Sequence, residues 1–190
     1  MNAIHAPSCA LVLVDYQARL MPAIHDQTRV SATATLLAQV ARLLNVPVLG
    51  TEQNPSGLGP NIEQVRAECT VTVAKTHFNA CADGLLVALE QAHSACTHVV
   101  IAGCEAHVCM LQTALGLLRA GKRVWVVADA SGSRRVSDHA AAMDRLAQAG
   151  ATIVTHEMVL FEWLDDSNHP RFRDILRQIK EMGARQGEDN

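Results

Sequence analysis

Apolar positions along the chain change spacing repeatedly, from unbroken β-branched runs to stripes that recur every three or four residues. Unbroken runs mark strands buried on both faces, and the stripes mark the helices that cover them. The first strand is expected at Cys9–Asp15 (CALVLVD), followed by a helix over Thr28–Leu44 with Val30, Leu36, Leu37, Val40, Leu43 and Leu44 as its buried stripe. Asn45 and Pro47 stop that helix, because a residue before proline is pushed out of the helical region. Strands two and three fall at Val46–Thr51 and Thr70–Lys75, with the turn-rich EQNPSGLGP between them and a helix over Gly84–His93 behind. The fourth strand, His98–Gly103, runs directly into a helix over His107–Ala120 that ends at Gly121. A strand at Arg123–Ala128, a helix over Ser137–Gln148, a short strand at Ala151–Thr155 and a helix over His169–Met182 complete the alternation. The terminal helix places Phe172, Ile175, Leu176 and Ile179 on one face.

This pattern predicts an α/β fold, a three-layer doubly wound sandwich around a six-stranded parallel sheet of Rossmann-like topology. No repeat or linker interrupts it in 190 residues, so one domain is expected over 1–183, with 184–190 a flexible tail.

Composition narrows the function classes. Apolar residues make up 49% of the chain, yet no run approaches the roughly 20 needed to span a bilayer, so no membrane partner is expected. The opening MNAIHAPSCALVLVD lacks a basic leader region and carries an Asp within its apolar run, which predicts a cytoplasmic protein. Net charge is −3 with both signs interspersed, and only two Trp, one Tyr and three Phe are present. Neither a basic groove nor a base-stacking platform is available, so nucleic acid is not an expected partner. The six cysteines contain no C-x-x-C pair, which argues against a zinc ribbon or a disulfide scaffold.

In an open parallel sheet, ligands bind beyond the carboxyl ends of the strands, where strand order reverses. Asp15 ends strand one, Glu52 and Gln53 follow strand two, Lys75 ends strand three, and GCEAHVC (Gly103–Cys109) joins strand four to its helix. A charge closing an apolar strand is costly unless it is paired or faces a cleft. Asp15 alone also reads as a helix cap, and Lys75 alone as a solvated strand end. Cys109 falls in the first helical turn, where free amides and the helix dipole would depress its thiol pKa. With Lys75 beside it and Asp15 as proton acceptor, such a thiol becomes a nucleophile. The same residues also permit a buried, inert cysteine. Cys104 is the rival thiol, placed as a wall at the end of its strand. His107 is two residues from Cys109, and helical positions i and i+2 point apart, so it reads as a cap or rim residue.

The segments ALVLVDYQARL, VAKTHF and VVIAGCEAHVCMLQTALGLLRAG resemble the Asp, Lys and Cys blocks of isochorismatase-like cysteine hydrolases. TEQNPSGLGP, VVADASGSRRVSDHAAAMDRLAQAGA and LFEWLDDSNHPRFRDILRQIK resemble the isochorismatase domain-containing subgroup, so the likeness covers nearly the whole chain. It implies Asp15 as general base and acid, Lys75 as support for the thiolate and Cys109 as the covalent nucleophile. It further implies a cis peptide at Cys104–Glu105, with Cys104, Glu105, Ala106 and Cys109 forming the oxyanion region. Ala106 stands where many members carry Thr, which leaves backbone amides to bind an oxyanion.

Nicotinamidase-like relatives hold a metal with an Asp and His pair after strand two. Glu52, Gln53 and Asn54 stand there without a nearby His, so neither zinc nor another cofactor is expected. True isochorismatases lack the nucleophilic Cys, which points away from isochorismate. The implied substrate is a small amide or carbamoyl compound cleaved at C–N, with Glu52, Gln53, His77, Phe78 and Glu105 as pocket candidates. The competing reading is a non-catalytic or thiol-reactive binding module that retains the site. A homo-oligomer is also implied, in keeping with the apolar LFEWL and Leu111–Leu118 stretches. Dinucleotide binding is disfavoured by DYQARL in place of G-x-G-x-x-G, and an aspartyl phosphatase by Gln17 where a second Asp belongs.

Overall fold

The computed structural model describes residues 3–187; Met1, Asn2 and the last part of the expected tail, 188–190, lie outside the described residues. The strands are β1 (Cys9–Val14), β2 (Val48–Gln53), β3 (Val71–Lys75), β4 (His98–Gly103), β5 (Arg123–Val127) and β6 (Thr152–Val154). The helices are α1 (Gln27–Leu43), the short α2 (Pro55–Leu58) and α3 (Glu63–Arg66), α4 (Leu85–Ala92), α5 (Leu111–Arg119), α6 (Val136–Gln148), α7 (His156–Leu164) and α8 (Phe172–Gly187). All strand pairings are parallel, in the order β3-β2-β1-β4-β5-β6. This is the expected doubly wound sandwich. Because β1 lies between β2 and β4, the winding reverses there and leaves the crevice of this fold beyond the ends of β1 and β4.

The unbroken apolar runs follow from this burial on both faces. In β1, Cys9, Leu11 and Leu13 join one core cluster with α1, α7 and α8. The alternate residues Ala10, Val12 and Val14 join the other, with α4, α5 and α6. Successive strand residues point to opposite faces, so only a continuous apolar run satisfies both layers. At the edge, β3 is largely exposed except for Lys75, which is buried at its carboxyl end.

Four differences from the sequence reading matter. β2 runs Val48–Gln53 rather than Val46–Thr51, because Asn45 turns in the left-handed region (φ 58°) before Pro47 and delays the strand. Glu52 and Gln53 therefore obey strand alternation instead of lying in a loop. The expected helix over His107–Ala120 is a π-turn at Ala106–Met110 followed by α5. The stretch His156–Leu164 was not anticipated as a helix, and Leu160, Trp163 and Leu164 of LFEWL are core, as are Leu111 and Leu117. The apolar surplus that suggested an oligomer is mostly interior. Finally, α8 continues past the expected end at Met182 as far as Gly187, through the first part of the segment read as a tail.

Candidate active site

Asp15, Lys75 and Cys109 come together at the switch point, the first two delivered by the ends of β1 and β3 and Cys109 by the π-turn after β4. Asp15 follows β1 in the left-handed region (φ 53°) and is wholly buried. Its Oδ1 accepts the Thr51 hydroxyl at 2.6 Å and its Oδ2 accepts Lys75 Nζ at 2.7 Å. Both side chains of that ion pair are 0% exposed. Lys75 Nζ also donates to Gln53 Oε1 at 2.6 Å and, more distantly, to the His77 carbonyl at 3.5 Å. Cys109 Sγ donates to Gln53 Oε1 at 3.8 Å, and Cys109 is the least buried of the three residues, 6% exposed against 0% for Asp15 and 2% for Lys75.

The expected depression of the Cys109 thiol is corrected by this environment. Burial, then the Asp15 carboxylate, push it up to about 12, against the Lys75 charge that pulls it down. A helix dipole supplies at most about 2 kcal/mol at such a position, too little to offset desolvation beside an anion. Every described cysteine is free, and the other five are raised as well, chiefly by burial. Cys109 is distinguished by its neighbours, not by its acidity. The rival Cys104 is fully buried with its thiol on Met21 Sδ at 3.8 Å, which makes it wall.

The Cys104–Glu105 peptide is cis, as the resemblance implied. Two amides expected in the oxyanion region are committed elsewhere. Cys104 N–H donates to the Val14 carbonyl at 2.9 Å and Ala106 N–H to the Gly132 carbonyl at 2.6 Å. His107 turns its ring away from sulfur, placing Nδ1 3.0 Å from Ser133 Oγ and Nε2 4.0 Å from Asp138.

The pocket candidates separate by strand parity. Gln53 pairs with Lys75 across the sheet and shares its face. Glu52 points to the opposite face and accepts the Asn61 N–H at 2.8 Å, so it anchors a loop instead of lining the site. His77 contributes its carbonyl, while its ring pairs with Asp83 at 2.8 Å in solvent. Asp83 is held down at about 2, first by the His77 N–H and then by the ring. Phe78 is 51% exposed. Glu105 is bound by Arg134 Nε at 2.6 Å. Thr51 was missed by the sequence reading, although its position two residues before Gln53 on a strand gives it the same face. Among the described residues, no group of three or more His, Cys, Asp or Glu could hold a metal ion.

Residues 9–158 match the Isochorismatase domain. The chain belongs to the isochorismatase family. Isochorismatase domain-containing protein 2A of Mus musculus is 37% identical over 184 residues, covering 95% of this chain and 87% of the mouse protein. Among solved structures, the MAR1 ribonuclease of Caenorhabditis elegans superposes with a TM-score of 0.87 at 31% identity, covering 94% of this chain and 92% of that one. The Escherichia coli YcaC gene product, described as an octameric hydrolase of unknown specificity, superposes with a TM-score of 0.80 at 26% identity, covering 96% and 98%. The family extends across β1 to the start of α7, and so includes every strand end that supplies the site. No helix of the described residues is long and apolar enough to cross a membrane.

Proposed function

We propose that this isochorismatase-family protein is a cysteine hydrolase that cleaves a C–N bond of a small amide or carbamoyl compound. The observation that carries the reading is the Cys109 thiol beside a fully buried Asp15–Lys75 pair, at the reversal point of the sheet. Asp15 takes the thiol proton as Sγ bonds the carbonyl carbon. The C–N bond then breaks as the nitrogen takes that proton from Asp15 and leaves as ammonia or an amine. Water, losing a proton to Asp15, adds to the thioester; the C–S bond breaks and sulfur regains the proton. The Glu105 and Cys109 amides are the proposed oxyanion donors, since those of Cys104 and Ala106 are already engaged. The Lys75 charge favours the thiolate at the moment it forms.

A second reading, a non-catalytic or thiol-reactive binding module that retains the site, is favoured in its non-catalytic form by the resting thiol being held up at about 12 within a nearly closed site. A homo-oligomeric assembly is proposed on the strength of the octameric relative, and a small-molecule substrate on the narrow access to Cys109.

Ammonia release from a panel of amides, ureas and carbamoyl compounds, with wild type beside Cys109→Ala, tests the hydrolase. Release that vanishes in the variant is the expected result, and release that persists undiminished refutes the nucleophile. Tight binding without turnover supports the binding module. RNA is included because one relative carries the name ribonuclease; Cys109-dependent RNA cleavage with no amide turnover would replace the amide reading.

A further inference from the structure

Gln53 stands where the parts of the site meet. Its Nε2 donates to the Thr76 carbonyl at 2.7 Å, which fixes the amide so that Oε1 faces Lys75. That one oxygen accepts the Lys75 ammonium at 2.6 Å and the Cys109 thiol at 3.8 Å. The backbone is clamped as well: Gln53 N–H donates to Gln17 Oε1 at 2.8 Å and the Gln53 carbonyl accepts Gln17 Nε2 at 3.0 Å, with Gln17 wholly buried. A side chain held at both its amide and its backbone is unable to drift from the reacting atoms.

Two consequences follow from the chemistry of an amide oxygen. It accepts the S–H of a thiol but offers nothing to a thiolate, so it stabilises only the protonated sulfur. It also occupies an ammonium proton that would otherwise be free to bind the thiolate. The remaining charged or titratable groups acting on sulfur are Asp15 after β1, Lys75 on β3 and the buried Cys104 thiol after β4.

We infer that Gln53 is a positioning residue that gathers the Lys75 ammonium and the Cys109 thiol on one carbonyl oxygen and, in addition to burial and the Asp15 charge, delays release of the thiol proton. The inference rests on the cysteine-hydrolase reading, because the delay matters only if Cys109 attacks a substrate.

The test is the rate of iodoacetamide labelling of Cys109, followed by mass spectrometry of its peptide between about pH 7 and about pH 10, in wild type, Gln53→Leu and Gln53→Glu. Leu removes the acceptor and releases the ammonium toward sulfur, so the thiol becomes more acidic. A tenfold gain in thiolate, offset by its lower intrinsic nucleophilicity, gives labelling about threefold faster at a given pH. Glu keeps the size and the acceptor but adds a negative charge, so labelling becomes about threefold slower. Opposite displacements are the signature of control over the thiol proton; a change in the same direction for both variants, or in neither, overturns the inference. Should Gln53→Leu fail to fold, the near-isosteric Gln53→Glu decides alone, by slower or unaltered labelling. On a turned-over amide, Gln53→Leu is expected to lower kcat with KM within about twofold. Failure of the hydrolase reading would appear differently, as wild type without turnover, while labelling still reports on Gln53.

Discussion

Lys75→Met tests the ion pair at the centre of the site. The side chains of Lys75 and Asp15 are both 0% exposed and meet at 2.7 Å, so removing the ammonium leaves a buried carboxylate with only the neutral Thr51 hydroxyl and Cys109 thiol as side-chain partners. Breaking a buried pair from one side costs about 3–5 kcal/mol, because the surviving charge loses its counter-ion without regaining water. For a chain of this size each kcal/mol moves Tm by about 2–4 °C, so a loss of about 6–20 °C is expected. Asp15→Asn should cost a similar amount by stranding the ammonium. The double variant removes both charges and should return to within about 1 kcal/mol of wild type, as neutral replacements of buried pairs do. Urea denaturation of the four proteins, extrapolated to water, measures the cycle. On the proposed mechanism, which uses the same two groups for stability and chemistry, all three variants should lose about 10²–10⁴ in turnover. Single variants costing less than about 1 kcal/mol, or a double variant equal to the sum of the singles, would refute the pair as a coupled buried unit.

Thr51→Val preserves shape but deletes the hydroxyl on Asp15 Oδ1, and should cost about 1.5–3 kcal/mol in urea denaturation with a fall of about tenfold in kcat; unchanged values would show that the bond does not hold the carboxylate. Gly103→Ala would place a Cβ 2.5 Å from the Val14 carbonyl oxygen and Cβ, at the paired ends of β1 and β4. A loss of about 1–3 kcal/mol or more is expected, with Cys109 labelling altered as the adjoining turn moves. His98 is held below its usual pKa, first by burial and then by Arg123, so it folds neutral. Its contribution is complete above about pH 6.5 and is lost as pH falls below that value. Wild type should therefore lose Tm between pH 8 and pH 5 more steeply than His98→Asn, and parallel profiles would contradict this assignment.

The fold was legible because burial on both faces of the sheet forces unbroken apolar runs, and because each helix-covered strand ends abruptly. Asp15 and Lys75 were legible for the converse reason, as charges at the ends of such runs. Gln53 was seen only as a pocket candidate, since a strand taken to end at Thr51 conceals which of Glu52 and Gln53 shares the face of Lys75. One residue of parity decides between the site and the opposite loop. The α7 helix had a local signal, Thr155 accepting the Met158 N–H as its cap, but its apolar side chains read equally well as surface for a partner. The acidity of Cys109 was misjudged because sequence displays the helix start and not the desolvation around it.

That misjudgement bears on why the site can be closed. The thiol, carboxylate and ammonium together carry no net charge, which makes burial of all three affordable where a lone thiolate would not be. Transfer of the proton from Cys109 to Asp15 leaves the sum unchanged, converting a carboxylate–ammonium pair into a thiolate–ammonium pair beside a neutral acid. The buried charge moves by a few ångströms and is never created. A thiol ionised at rest would instead place two anions around one ammonium, each raising the cost of the other. On the proposed mechanism, protonation of the resting sulfur is thus what lets Asp15 act as the base inside the sheet edge.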